Sequence, residues 1–580
     1  MWLMKHRYEN IKKTLCILFT CATFLVNAQD LTGLRGRTPL TITGSIGTFN
    51  TYYYSSNPYQ IRSPLSNTLF ANLNIDIYGV QIPLSFHFSN NNRDFSHPFA
   101  RFGMSPRYKD LQVHLGYRNM NFSPFTYSNL TFLGAGLEYN RNLLRLALFT
   151  GSLNQANEFD PEQITPGRPN TYHRRAYGLK LGVGNARNHF DIILFNARDD
   201  TLSIAPAAGL HLQPKENLVA GASFRVSFGQ HISISSNVSA SAYNNNMRST
   251  GIELQEADPL NDYFTPRYGS VLRFAGDIRT NINFGRVQSM LQYRLIQPEF
   301  QSLGTSYISN NIQQMGLNVN TTLSRNRIST GFSIFYQEDN VTKTQIYTNT
   351  SMIYAVNATA RMSDQFNISL SYNGFDQKQQ DGTMVVNDSI RINRFMHNIS
   401  VTPGYSFLDE LDRSHSFTVS LNSSINKNQN KLITDPSEVT TMSTNLAYML
   451  GITDRNININ ATIGYINSSS NAYEFNSTNM GAGAGKRFLD DDNLNIQINL
   501  NLAYGQVQGL TRNLSVMTGL MAGYTHGKSH TFNFRLNFNS NKNKHLEGLY
   551  SMHGYDTTVS LGYTYRIRPI SPVSRNNDNH

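Results

Sequence analysis

Three groups of residues have the types and spacing from which chemistry could be built. Gly481-Ala482-Gly483-Ala484-Gly485-Lys486 has the glycine density of a phosphate-cradling loop. It departs from that motif at both ends, with Met480 in the place of the first glycine and Arg487 in that of the Ser/Thr. In an extended chain the same three glycines fall on one face, where they permit close backbone approach or a kink in a sheet. Asp490-Asp491-Asp492-Asn493 offers oxygen ligands to calcium but lacks the spaced Gly and bidentate Glu of a calcium loop, so a hydrated hairpin turn is expected there. His87, His97, His114 and His173, with Ser85, Ser96 and Asp94 nearby, could supply a hydrolase, yet no nucleophile motif surrounds them. The expectation is a protein that is not an enzyme, with no catalytic residues, no cofactor and no metal ligands.

The elements that would position any site begin after an export signal. Lys5, Arg7, Lys12 and Lys13 precede the apolar run Thr14 to Val26, which ends in Val26-Asn27-Ala28. The run is shorter than the roughly 20 residues of a permanent spanning helix, and small residues at 26 and 28 suit cleavage before Gln29. Residues 1–28 are thus expected to be a cleaved signal peptide. Leu18 to Cys21 fits a lipoprotein box poorly, because Phe19 and Thr20 stand where smaller residues are usual. Both cysteines, Cys16 and Cys21, leave with the signal, which excludes a disulfide framework and a thiolate metal site from the mature chain. Cleavage removes four basic residues and one acid, lowering the net charge from +11 to +8. That surplus is scattered along an exported chain, so no nucleic-acid partner is expected.

Composition narrows the class. Charged residues make up 15% and apolar residues 39%, against about 25% and about 45–50% in soluble domains. Asn, Ser, Thr, Gly and Tyr fill the difference, as expected where half of each strand meets lipid and half meets water. No later segment is apolar enough for a spanning helix, so a spanning structure must be a closed sheet.

Hydropathy has a period of two throughout. Leu494, Ile496, Ile498, Leu500, Leu502 and Tyr504 alternate with Asn495, Gln497, Asn499, Asn501, Ala503 and Gly505. The same pattern runs through 69–77, 457–465 and 532–539, giving each segment one oily and one wet face. A soluble sandwich would alternate too, but it has no reason to alternate long and short connections, as tight inner turns and longer outside loops do in outer-membrane barrels. Short turns are expected near 140–142, 185–188, 229–230, 324–327, 363–364, 453–456, 489–493 and 527–529. Long connections are expected near 152–173, 199–217, 244–269, 296–311, 375–390, 426–440 and 541–556. This spacing predicts an all-β fold, a single large antiparallel transmembrane β-barrel of about 26 strands between Leu40 and Ile567. The count requires Phe99 to Met104 to be a strand, with Pro106 to Asp110 as its turn. Residues 29–39 are then a short periplasmic N-terminus, and 568–580, with Pro569, Pro572 and several Asn, a disordered periplasmic tail. No globular plug or periplasmic domain is expected, and both termini should be periplasmic.

Tyr52, Tyr53, Tyr54, Tyr78, Tyr139, Tyr336, Tyr465, Tyr504 and Tyr524 fall near strand ends, where a ring with a hydroxyl suits the interfacial girdle or simple β-propensity. Ser560, Gly562, Tyr565 and Ile567 in the last strand resemble the C-terminal signal read by the barrel-assembly machinery, except that a polar tail follows. Arg101-Phe102-Gly103-Met104-Ser105-Pro106, His114 to Asn119, and Phe132-Leu133-Gly134-Ala135-Gly136 resemble uncharacterised outer-membrane barrels of Bacteroidota, as does the Val26-Asn27-Ala28-Gln29 junction. The resemblance covers about a tenth of the chain and implies no activity.

A barrel of this size has a wide lumen that needs narrowing by infolded loops or by a plug or envelope partner protein. The best loop candidate is 244–269, with Arg248, Glu253, Glu256, Asp258, Asp262 and Arg267. Lumen-facing candidates are Arg145, Asn495, Gln497, Asn499, Asn501 and Arg535; an inward Arg can equally brace an empty barrel. Two functions stay open: a transport or translocation pore for polar solutes or polymers, and a non-transporting barrel, embedded in outer-membrane lipid, that anchors or assists a surface or secreted partner. An outer-membrane hydrolase is a remote third.

Overall fold

A computed structural model describes residues 40–570, apart from 58–61, 91–99, 158–169, 205–211, 253–263, 325, 388–390, 431–437, 472, 490–492, 509–510 and 546–550. The expected signal peptide, residues 29–39 and 571–580 lie outside the described residues.

The alternating segments become antiparallel strands, each bonded to the next in sequence. The wall contains 27 hydrogen-bonded segments. Two of them, Ala100–Met104 and Arg107–Tyr108, share one position between the same two neighbours, so the barrel has 26 strands. The expected turn at Pro106 to Asp110 is narrower than foreseen. Proline cannot donate, but its carbonyl accepts from Val113 N at 2.9 Å, so the strand resumes at Arg107 and turns only at Lys109–Asp110. The wall closes where Thr41–Ser55 pairs with Ser551–Ile570, from Ile42↔Ile570 to Ser55↔Asp556. Closure leaves no edge, the condition for a sheet to live in lipid.

Tight turns gather at the rim that holds Thr41 and Ile570. Tyr78 and Gly79 (φ 51° and 87°) and Gly527 and Lys528 (φ 56° and 62°) make turns with consecutive left-handed residues, the hand that continues strand twist. At 409–412 the Asp409 carboxylate accepts from Leu411 N (2.9 Å), Arg413 N (3.0 Å) and Arg413 Nε (2.6 Å). Desolvation opposes the charge of Asp409, but these donors and His415 outweigh it and hold the carboxyl below its usual range.

At the opposite rim the connections are longer, although several are shorter than the sequence suggested. The 375–390 and 541–556 segments stay in strands to Asp381 and His545, and the latter restarts at Ser551. The reason is that these strands rise beyond the apolar belt, where their Asn, Gln and Lys side chains read as loop. Likewise the last strand continues past Ile567 to Ile570.

One strand face carries exposed Tyr177, Leu181, Val183, Ile192, Leu194, Ile498 and Leu500. These large side chains, bare in water, form the band that meets lipid tails. A barrel of this strand number is roughly 50 Å across, from ~4.8 Å strand spacing and ~40° tilt.

The seam can be checked directly. Thr51 Oγ1 and Ser560 Oγ lie 3.3 Å apart across it. The pair Thr51→Cys and Ser560→Cys, in a chain with Cys16 and Cys21 replaced by Ser, should oxidise readily. The boiled, non-reduced chain should then run as a compact cyclised species on a denaturing gel, and failure to crosslink would place the seam elsewhere.

Candidate functional site

The inner face divides into two sectors. From Thr131 to Asn244 its part nearer the long-connection rim carries a packed apolar cluster. Phe132, Ala176, Ile193, Ala197 and Val219 are 0% exposed and Phe195 1%. They sit at alternate positions to the lipid-facing residues, so they point inward. What covers them is the connection 120–130, which follows the strand Leu111–Asn119, together with 297–311, which follows Val287–Ile296. Segments leaving such distant strands can meet only across the concave side, so both fold into the lumen.

Met120, Phe122 and Tyr127 pack with Phe132, Phe149 and Phe195. The Tyr127 and Phe149 rings lie 4.4 Å apart, Phe132 and Phe149 4.8 Å, and Tyr127 and Phe195 5.7 Å. Glycines make the room. A Cβ at Gly178 would come within 2.2 Å of the Phe149 ring and 2.6 Å of Phe122, and one at Gly136 within 2.7 Å of Met120 Sδ. Burial pushes the Tyr127 phenol above its ordinary range, so it serves as a neutral donor to Leu130 O at 2.8 Å.

The two connections are joined to each other and to the wall. Tyr127–Ser128 and Gly304–Thr305 form a two-rung parallel bridge, and Ser302 Oγ donates to Thr126 O at 2.5 Å. Asn217 acts as a wall pin. Its amide nitrogen donates to Ser241 Oγ (2.8 Å) and Ala242 O (2.9 Å), while its oxygen accepts from Leu303 N (3.0 Å). Ser241 Oγ in turn donates to Gln301 O at 2.6 Å. A second small core, Phe125, Phe300, Ile296, Ala275 and Ile312, seats the base of the 297–311 connection.

Nearer the short-turn rim the same wall carries ion pairs. Arg145 binds Asp191 through two nitrogens at 2.7 and 3.0 Å. Gly182 leaves that pair space, since a Cβ there would lie 2.0 Å from Asp191 Oδ1. Asp277 holds Arg279 at 3.1 Å and Arg294 at 3.8 Å. Arg145 therefore braces the wall instead of presenting a free charge.

Beyond these, from Ile312 through the seam to Ser89, the inner face is lined chiefly by amides and hydroxyls. Exposed Asn357, Asn373, Asn422, Asn445, Asn501 and Asn537 belong to it. Asn495, Gln497, Asn499 and Asn501 all lie opposite the lipid-facing Ile498 and Leu500. Their neighbours across the register are Arg487, Gly485, Gly483 and Gly481. The glycine run thus faces inward, with Asn460 and Asn499 leaning over Gly483 from both sides. Arg535 sits between Met521 and Ser560 on the same face. Ser560 and Gly562 point inward at the seam, Tyr565 outward beside the His530 ring at 4.9 Å, and Ile567 pairs with Gly44.

Of the histidines and their neighbours, Asp94, Ser96 and His97 lie outside the described residues. His173 bonds Ser152 at a connection base. His114 lies between Ser105 Oγ (2.9 Å) and Glu138 Oε1 (3.7 Å). The second distance exceeds a hydrogen bond, and Ser105 and His114 are each 6% exposed, so this trio is a wall brace. Among the described residues no group of three His, Cys, Asp or Glu is placed to hold a metal.

The expected loop 244–269 is described only at its ends, where Arg248 donates to Tyr172 OH at 2.9 Å and Arg267 to Ser249 O at 2.9 Å. The infolded pair carries little of the charge that singles out 244–269 as a lumen loop in the sequence. The usable signal was the aromatic density of Asn121-Phe122-Ser123-Pro124-Phe125-Thr126-Tyr127, unusual for a surface connection.

No known family model and no curated protein matches the sequence. Among solved structures, the P pilus usher (PapC) translocation pore is similar at 12% identity and a TM-score of 0.36, over 91% of this chain and 100% of that one. The siderophore receptor PirA from Pseudomonas aeruginosa is similar at 10% identity and 0.37, over 91% and 81%. The outer membrane protein opdK from Pseudomonas aeruginosa is similar at 9% identity and 0.30, over 65% and 98%.

Phe149→Ala removes the ring that touches Phe122, Tyr127, Phe132 and Phe195. It should cost about 3–5 kcal/mol of local stability and speed hydrogen exchange in 120–130 while leaving the strand Leu494–Val507 protected. Unchanged exchange in 120–130 would show that other contacts hold the connection.

Proposed function

We propose that this protein is an outer-membrane barrel that passes polar, uncharged solutes or polymers through the sector of its lumen left open by the two infolded connections. The observation that carries this reading is the division of the inner wall. One sector is packed by an apolar cluster and braced by ion pairs; the other presents exposed amide and hydroxyl side chains along full-length strands. Amides and hydroxyls can replace water around a hydroxylated solute and give little reason to prefer cations or anions. The long-connection rim faces the outside in this reading, and both termini the periplasm, following the usual asymmetry of such barrels.

A second reading, a barrel that anchors a partner protein, draws on the long-connection rim. Leu202, Tyr268, Met384 and Val385 are 64–91% exposed there. Large bare side chains on connection tips suit protein contact.

Planar-bilayer recording separates the two. The pore reading expects open channels with near-equal cation and anion permeability. It also expects a severalfold rise in conductance when residues 121–129 and 299–309 are replaced by short Gly-Ser links. A wild-type barrel and a link variant that are both silent would reject the pore and favour the anchor.

A further inference from the structure

Several outward-facing cations near the long-connection rim sit beside a carboxylate. Arg198 lies 3.6 Å from Glu216 and Lys427 2.6 Å from Glu438, and Lys343 bonds Glu338. Each has a carboxylate on a neighbouring or nearby position of the wall. Arg175, opposite Arg198, and Lys378 are exposed without a carboxylate contact among the described residues, but each stands singly; three such cations gather on the strand pair Thr511–His526 and His530–His545. There Lys544 stands directly opposite Arg512, and Lys542 follows on the same face, opposite His553 on the other side. All three cations are exposed, and none has a carboxylate partner among the described residues. Glu474, an outward acid two strands or roughly 10 Å away, is within hydrogen-bond reach of Asn467 and Asn476. Glu547, in the connection between the last two strands, lies outside the described residues.

Like charges directly opposite each other destabilise a strand pair. A wall that sets Arg198, Lys427 and Lys343 beside carboxylates and stacks three unpaired cations together here has left a place for an external anion. The height of the trio says which kind. Phe532, Phe534, Leu536 and Phe538 precede it on the lipid-facing side of its own strand. Tyr54 and Tyr555, with rings 5.9 Å apart, and Phe538, 6.3 Å from Tyr555, form the girdle just below. Lys542 is roughly 30 Å above His530, from ~3.3 Å rise per residue and ~40° tilt. This is the distance from one headgroup layer to the other.

We propose that Arg512, Lys542 and Lys544 form a site for the phosphates of an anionic glycolipid in the outer leaflet. The acyl chains lie along Leu514, Phe538 and Tyr555, and the ammonium and guanidinium groups reach up to the headgroup. The inference rests on the reading that the long-connection rim faces outward.

The test uses purified full-length barrel in neutral detergent, titrated with diphosphoryl lipid A as the probe. Each surface cation contributes roughly 5-fold to binding an anionic lipid, so the variant Arg512→Gln, Lys542→Gln, Lys544→Gln should bind on the order of 100-fold more weakly at low salt. Lys427→Gln, whose cation already has Glu438, should change affinity less than 2-fold. Folding of each variant is checked by its heat-dependent gel mobility. Unchanged affinity in the triple variant, or an equal loss in Lys427→Gln, overturns the site. Displacement of the lipid by equimolar inorganic phosphate overturns its lipid identity in favour of a free-phosphate site.

Two further measurements separate this inference from the readings beneath it. Lipid binding by a barrel silent in bilayers leaves the site standing and removes only the pore. Placing Asn471→Cys at the same rim tests orientation: labelling of intact cells by an impermeant maleimide supports the outer leaflet, and its absence overturns it.

Discussion

Everything in this molecule depends on one constraint, that a peptide group in hydrocarbon has no water to bond. Strand after strand meets that demand for its neighbour, and the account balances only because Thr41–Ser55 and Ser551–Ile570 bond each other along their length. The period of two follows from it. Once every backbone group is used within the wall, side chains are the sole means of meeting lipid on one side and the lumen on the other.

The lumen side is where this barrel is specific. A wide closed sheet is a poor boundary on its own, because its enclosed space grows with strand number. Here the chain supplies its own filling, but on one side only. The packing of Phe122 and Tyr127 against Phe149 and Phe195 resembles the core of a soluble domain. Gly136 and Gly178 are the wall's share of that fit, positions where any side chain would meet a ring or a sulfur. The Arg145–Asp191 and Asp277–Arg294 pairs belong to the same economy of support.

The exterior was legible in the sequence because lipid imposes one rule on every strand. Segments such as 494–505 and 532–539 show it plainly, and the strand number and closure follow from it. Strand ends were less legible. Asn, Gln and Lys above the apolar belt, as in Lys542 to Lys544, read as connection while the backbone stays paired. The filled sector was harder still. Ile192-Ile193-Leu194-Phe195 is apolar on both faces, since alternate residues meet lipid and the infolded rings, so its alternation vanishes. A polar lumen lining such as Asn495 to Asn501 could be recognised from pattern alone. The bracing role of Arg145 could not, because its partner Asp191 is brought beside it only by the pairing of three strands.

The bridge between Tyr127–Ser128 and Gly304–Thr305 has a mechanical meaning as well. It ties together two points of the rim separated by every strand from Thr131 to Ile296, and so acts as a chord across an arc. A large sheet cylinder is soft to squeezing, and a chord sets the curvature of the arc it spans while leaving the remainder free to flatten or bulge. The untied arc, from Ile312 round to the seam, is then the compliant part of the ring, able to change its cross-section around whatever passes without unlocking the packed side.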